Sequence, residues 1–279
     1  MKNLIVVRCG DNSLHEKWIS SEANYDVVIS YFGNEPKFDL ENLRHFHSYK
    51  GSKWEGLNDF FQTNDFWREY DAIWIPDDDI DTDVQTLNRF FELFHENNFD
   101  LAQPSLDHRS YFSWALLLQN SNFKYRKTNF VEVMIPCFSK EAFKKVYSTF
   151  SENKSGWGLD FLWPQILGEQ ANIAVIDEVA VFHTRPVGSA GSGMGKKIIS
   201  KKSFFSKNKT LSPMDELKIL AKKYKFIQKE RCLGGMNWDG SYIESDHVKF
   251  KQLYLAGCDI RLLENYSINF ALDNIELTQ

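Results

Sequence analysis

The segment Tyr70-Asp71-Ala72-Ile73-Trp74-Ile75-Pro76-Asp77-Asp78-Asp79-Ile80 has the densest potential for chemistry in this chain, because an apolar run opens onto three consecutive carboxylates. Acids released at the carboxyl end of a buried strand fall where open α/β sheets bind ligands. Adjacent carboxylates repel one another, and a divalent cation among them relieves the repulsion; hard oxygen ligands suit Mn²⁺ or Mg²⁺. The competing explanation is a solvated acidic turn, the usual fate of charge blocks. Three later pieces bear on that choice. Gly156-Trp157-Gly158-Leu159-Asp160 joins flexible backbone, an indole that can stack on a sugar face, and a carboxylate that could take a proton from a hydroxyl. The bland alternative is a turn with a buried Trp, Asp160 capping a helix from Phe161 to Leu167. His183 closes the strand pattern beginning at Ile173, where a parallel sheet would bring it to the edge that holds Asp79; a lone His is more often structural. Glu132 falls within the apolar stretch Asn129 to Ser139, read as a strand, and a charge there is expensive unless paired or functional.

These residues need a scaffold. Leu4 to Val7 and Tyr25 to Gly33 read as strands, with a short crossover helix over Leu14 to Ser21. A helix over Leu57 to Phe66 precedes the strand Ala72 to Ile75, and Val84, Leu87, Phe90, Phe91 and Phe94 fall on one helical face. Asp100 to Ser105 and Ser113 to Gln119 read as further strands. Ser139 is a helix cap ahead of the stripe Phe143, Val146, Tyr147 and Phe150. Val187 to Leu211 holds four Gly and six Lys and no acid, a mobile basic loop. Ser212-Pro213-Met214-Asp215 starts a helix with a capping box, and another runs from about Ser245 to Leu255, stopping at Gly257. Strands alternating with helices predict an α/β fold, a mainly parallel central sheet flanked by helices with a C-terminal helical extension. The expected organisation is a catalytic domain over 1–186, the loop over 187–211 and the extension over 212–279.

Composition narrows the class. The 279 residues are 43% hydrophobic, enough for a sizeable core, and the 15% aromatic content suggests aromatic-lined surfaces as well. The net charge of −5 argues against nucleic acid as the main partner. Cys9, Cys137, Cys232 and Cys258 form no close pair, so neither a zinc knuckle nor a disulfide framework is indicated. The apolar run before Arg8 is only four residues long, Leu4 to Val7, too short for a signal peptide, and no stretch is long enough to span a bilayer. The expected location is the cytoplasm.

In this order the acidic strand end, Gly156 to Asp160 and His183 resemble nucleotide-sugar glycosyltransferases of the GT-A fold. The resemblance implies that Asp79 and His183, with Asp77, hold Mn²⁺ or Mg²⁺ on the donor diphosphate, with Asp77 or Asp78 touching ribose or a metal-bound water. It makes Arg8 and Lys53 candidates for the base or diphosphate. Gly156 to Asp160 is similar to the Gly-Trp-Gly region of animal β-galactosyltransferases, and Leu159-Asp160 replaces their Glu-Asp pair, leaving Asp160 as the base of an inverting reaction. Trp157 and Gly158 would then adjoin the sugar or acceptor; Glu132 holds a sugar hydroxyl or is a buried acid paired with a basic neighbour. Arg8 to His15, Lys50 to Trp54, Ile73 to Ile80, Gln103 to Leu106, Phe130 to Met134 and Gly156 to Asp160 also resemble blocks of a bacterial and plant family labelled lysine-ketoglutarate reductase trans-splicing-related proteins. Implied partners are a nucleotide sugar, with UDP as the expected nucleotide, and a glycan or lipid-linked glycan acceptor of bacterial surface polysaccharide synthesis, compatible with peripheral association at the inner membrane. The rivals are a carbohydrate-binding module and a metal-dependent phosphotransferase. The aspartate-nucleophile phosphatase pattern lacks its final Thr or Val here, and a calcium loop starting at Asp79 has Val84 where its turn glycine belongs.

Overall fold

The computed structural model describes residues 1–186 and 211–257. Strand β1 (Asn3–Cys9) is buried throughout, because its apolar run faces packed layers on both sides, as parallel strands covered by helices require. With β2 (Tyr25–Tyr31), β3 (His45–Ser48) and β4 (Ala72–Trp74) it forms a parallel block in the order β4-β1-β2-β3. The rest of the sheet is mixed. It comprises β5 (Ile80–Asp81), β6 (Leu101–Leu106), β7 (Phe123–Thr128), β8 (Cys137–Ser139), β9 (Ile173–His183), β10 (Cys232–Asn237) and β11 (Tyr242–Glu244). Strand order is β11-β10-β7-β9-β6-β8-β4-β1-β2-β3, with β5 pairing to β9. The pair β6 and β9 is parallel, β8 is antiparallel to both neighbours, and β7, β10 and β11 add an antiparallel flank.

Alternation along β1 divides the core between two faces. Leu4 and Val6 pack with Trp54, Leu57, Phe60 and Phe61 of α1 (Lys53–Thr63), Phe143 of α3 (Lys140–Val146) and Trp163 of α4 (Leu159–Leu167). Ile5 and Val7 pack with Trp74 and with Leu87, Phe90, Phe91 and Phe94 of α2 (Val84–Glu96), the helical stripe read from spacing. Caps fix where the helices start. Ser52 and Glu55 form a capping box on α1, Ser139 caps α3, and Ser212 with Asp215 boxes the start of α5 (Pro213–Tyr224).

The α/β class and the flanked central sheet agree with the sequence reading, and several local expectations do not. Ser113 to Gln119 is no strand; it holds a short 3₁₀ turn at Ala115–Leu117, and the strand follows at β7. Its Lys and Arg obscured the alternation, since Arg126 is buried rather than solvated. Leu14 to Ser21 contains only the 3₁₀ turn His15–Trp18. Asn129 to Pro136 is turn and loop, so Glu132 sits on a turn and only Cys137–Ser139 pairs as a strand. The C-terminal segment contributes β10 and β11 to the sheet as well as α5 and α6 (Val248–Gly257). The basic loop read over 187–211 lies, apart from Leu211, outside the described residues, as does Cys258.

Candidate functional site

Past Trp74 the chain leaves β4 and turns, anchored by Ile75 N–H to the Pro136 carbonyl at 2.8 Å and Asp77 N–H to the Met134 carbonyl at 2.8 Å. Each of the three carboxylates then meets a different partner. Asp77 accepts from Lys53 Nζ at 2.5 Å, Asp78 from the Gly10 N–H at 2.9 Å and from Arg185 at 3.1 Å, and Asp79 lies 3.2 Å from His183 Nε2. Mutual repulsion is thereby dispersed without any one ion touching all three. Burial raises the Asp78 carboxyl above its ordinary range, against the opposing pull of the Gly10 N–H and Arg185.

His183 reaches Asp79 by an unexpected route. Its strand β9 is separated from β4 by β6 and β8, so the two are not neighbours in a parallel sheet. Instead the acidic turn folds back as β5, whose Ile80 pairs antiparallel with His183. The Nδ1 atom lies 2.7 Å from the Tyr111 carbonyl. The Nδ1–H donates to that carbonyl and fixes the ring, and the protonated Nε2 donates to Asp79, a proton that a metal ion bound there would displace. Burial pulls the imidazole pKa down, but the Asp79 and Tyr111 bonds outweigh it and raise the value above normal. Asp79 Oδ1 is buried without a hydrogen-bond partner.

Among the described residues no group of three or more His, Cys, Asp or Glu side chains is gathered for a metal ion. Asp79 and His183 nevertheless fit a divalent ion that takes its other ligands from elsewhere, since one offers an orphaned carboxylate oxygen and the other an imidazole nitrogen. Asp77, read as a further ligand, has one oxygen engaged by Lys53. Lys53 in turn braces the Glu132 turn by donating to the carbonyls of Val133 at 2.9 Å and Met134 at 3.2 Å. Arg8, read as a donor contact, uses all five N–H groups on the carbonyls of Ser30, Tyr49, Gly51 and Ser52 and on Ser30 Oγ. It shapes the loop that leads into α1.

The Gly156 to Asp160 segment is built on two left-handed glycines. Gly156 has φ +80° and sits so close to Trp54 that a Cβ would lie 1.9 Å from Nε1; Gly158, at φ +96°, is the N-cap of α4. Asp160 is therefore in the first helical turn and not at the cap. Its carboxylate accepts the Phe161 N–H at 3.0 Å. Burial, with the neighbouring Glu132 charge, pushes the Asp160 carboxyl up to about 8. Burial likewise pushes Glu132 up to about 7, and its Oε2 has no hydrogen-bond partner. Among the described residues no cation hydrogen-bonds Glu132, although His183 and Lys53 both pull its carboxyl down through their charge; its backbone N–H donates to Gln103 Oε1 at 2.8 Å.

All ten sequence-selected residues, Arg8, Lys53, Asp77, Asp78, Asp79, Glu132, Trp157, Gly158, Asp160 and His183, line one cavity of about 700 Å³. Sequence reading missed Phe32, Trp114, Phe161, Arg185 and Gln228 on its wall. Arg185 was findable, two residues beyond His183 at the same strand end. Gln228 follows α5 in a segment with no periodicity to mark it.

Mixed strand order, flanking helices and the cavity at the strand ends define a GT-A-like α/β fold. GalNAc-T7, solved with UDP, GalNAc and Mn²⁺, superposes with TM-score 0.53 at 9% identity, covering 80% of this chain and 50% of that one. S. aureus TarS 1-349 matches with TM-score 0.48 and 12% identity over 66% of this chain and 60% of its own. The chain thus spans about half to three fifths of these structures. No curated relative matches it. The family profile described as "Protein of unknown function (DUF707)" matches residues 21–230, and the chain belongs to that family. No helix among the described residues is long and apolar enough to cross a membrane.

Proposed function

We propose that the protein is a metal-dependent, inverting glycosyltransferase that moves a sugar from a nucleotide donor, UDP-linked, to a glycan or glycolipid hydroxyl. One observation supports the proposal: an acidic strand end, a histidine paired with its last acid and a buried carboxyl hydrogen-bonded to no cation among the described residues share one cavity. Asp79 and His183 hold Mn²⁺ or Mg²⁺, which when bound offsets charge on the donor diphosphate. Asp78 keeps the Gly10 backbone and Arg185 in place beside the donor. Lys53 and Arg8 fix the turns that carry Glu132 and the entry to α1.

The acceptor oxygen attacks the anomeric carbon as the bond from that carbon to the diphosphate breaks, and the electron pair leaves with the nucleoside diphosphate. Asp160 takes the hydroxyl proton. Its raised pKa suits that task, because a base that holds its proton more tightly accepts one more readily once ionised. Glu132 accepts a hydrogen bond from a sugar hydroxyl. The resemblance to the family labelled lysine-ketoglutarate reductase trans-splicing-related proteins supports the block assignments without adding a reaction, and surface polysaccharide assembly in the cytoplasm or at the inner membrane face is the setting we favour. The test is incubation with Mn²⁺ and a panel of nucleotide sugars, reading free nucleoside diphosphate. Metal-dependent release from one donor supports the proposal; no release from any donor, with or without acceptor, rejects it.

A further inference from the structure

The permanent cations among the described residues lining the cavity are Arg8, Lys53 and Arg185. All three are committed: Arg8 to carbonyls and Ser30, Lys53 to Asp77, and Arg185 to Asp78 and the Asn12 carbonyl. Around Asp160 the lining is different in kind. Phe161 follows it on the first turn of α4 and packs edge-on to Trp114, ring centroids 5.8 Å apart, and Trp157 lies three residues before it. Glu132 is nine-tenths buried, borders the same cavity and has Oε2 unpartnered. Gln228 adds an uncharged amide.

We infer that the acceptor is an uncharged pyranoside that lays its C–H face on Trp157 and Trp114 and hydrogen-bonds Glu132, an inference that rests on the transferase reading. Indole and phenyl faces match the apolar side of a pyranose ring. A hydroxyl satisfies a buried carboxyl whether that carboxyl is ionised or neutral, whereas an ammonium requires the ionised form that burial opposes. A carboxylate or phosphate on the acceptor would meet two acids and, among the described residues, no uncommitted cation, which costs desolvation and repulsion together.

The experiment is saturation-transfer NMR on the full chain with the methyl glycosides of glucose, galactose, mannose and N-acetylglucosamine, set beside methyl glucuronide, glucose 6-phosphate and glucosamine. At least one neutral glycoside should bind tenfold or more tighter than every charged sugar, with saturation strongest on ring C–H protons. Trp157→Ala and, separately, Trp114→Ala should each weaken it severalfold. Equal or tighter binding of a charged sugar, binding of none of the neutral glycosides, or neutral binding indifferent to both tryptophans overturns the inference. Binding is read without turnover, so absent nucleotide release alongside tryptophan-dependent neutral binding rejects the transferase reading alone.

Discussion

Two buried acids on the same molecule have opposite surroundings. Asp177, at the irregularity in β9, is locked to Arg126 by bonds of 2.7 and 2.8 Å and accepts the Asn120 N–H at 2.9 Å, while Arg126 spends its remaining donors on the Leu116 and Leu118 carbonyls. Asp160, also buried, accepts a backbone N–H and faces a cavity shared with a second acid. The first arrangement is closed and satisfied. The second leaves Glu132 Oε2 without a hydrogen-bond partner among the described residues and neither acid hydrogen-bonded to a cation there, and on the proposed function that difference, more than burial itself, separates a structural acid from a working one.

Breaking each side of the comparison should give contrasting results. Asp160→Asn keeps the side-chain size and should lower turnover by about two to four orders of magnitude with donor affinity unchanged, the range expected for a general base. Steady-state kinetics on the identified donor checks it, and near-wild-type turnover would return Asp160 to a packing role. Arg126→Met strands the Asp177 charge and should destabilise the fold by about 3–5 kcal/mol in urea unfolding. A cost near zero there would mean the pair is not what holds β7 to β9.

A pH series sharpens the contrast. Because the folded Asp160 pKa is raised to about 8, the native state keeps a proton that the unfolded chain has released above the ordinary carboxylate range. Wild-type stability should therefore fall, relative to Asp160→Asn, as pH rises from that range through about 8. Parallel stability curves for the two proteins would contradict it. The smallest effect is electrostatic: burial dominates the Asp160 shift and the Glu132 charge adds to it. Glu132→Gln should thus move the rising limb of kcat/KM to lower pH, and an upward move would show that Glu132 acts through something other than its charge.

Much of the site was legible because its residues announce themselves by type at strand ends: Asp77 to Asp79 after an apolar run, His183 closing another, and Asp160 beside two glycines. Spacing also located α2, whose five-residue stripe is wholly buried. What escaped depended on tertiary pairing. Glu132 looked like a strand residue because Val131, Val133, Met134 and Ile135 make an apolar run around it, yet Lys53 draws the Val133 and Met134 carbonyls into a turn. Arg126 drew no notice in the sequence because its partner Asp177 lies 51 residues away. The aromatic wall from Trp114 to Phe161 assembles from separate segments that carry no shared period.

Isothermal titration of UDP into wild type and Asp79→Ala, with and without Mn²⁺, bears most directly on the central claim. Wild type should bind UDP only when Mn²⁺ is present, and Asp79→Ala should lose that binding while its circular dichroism stays that of a folded protein, any fall in its unfolding midpoint reporting the lost contact with His183. UDP binding that ignores Mn²⁺, or that survives Asp79→Ala undiminished, would contradict a metal-held donor at this strand end.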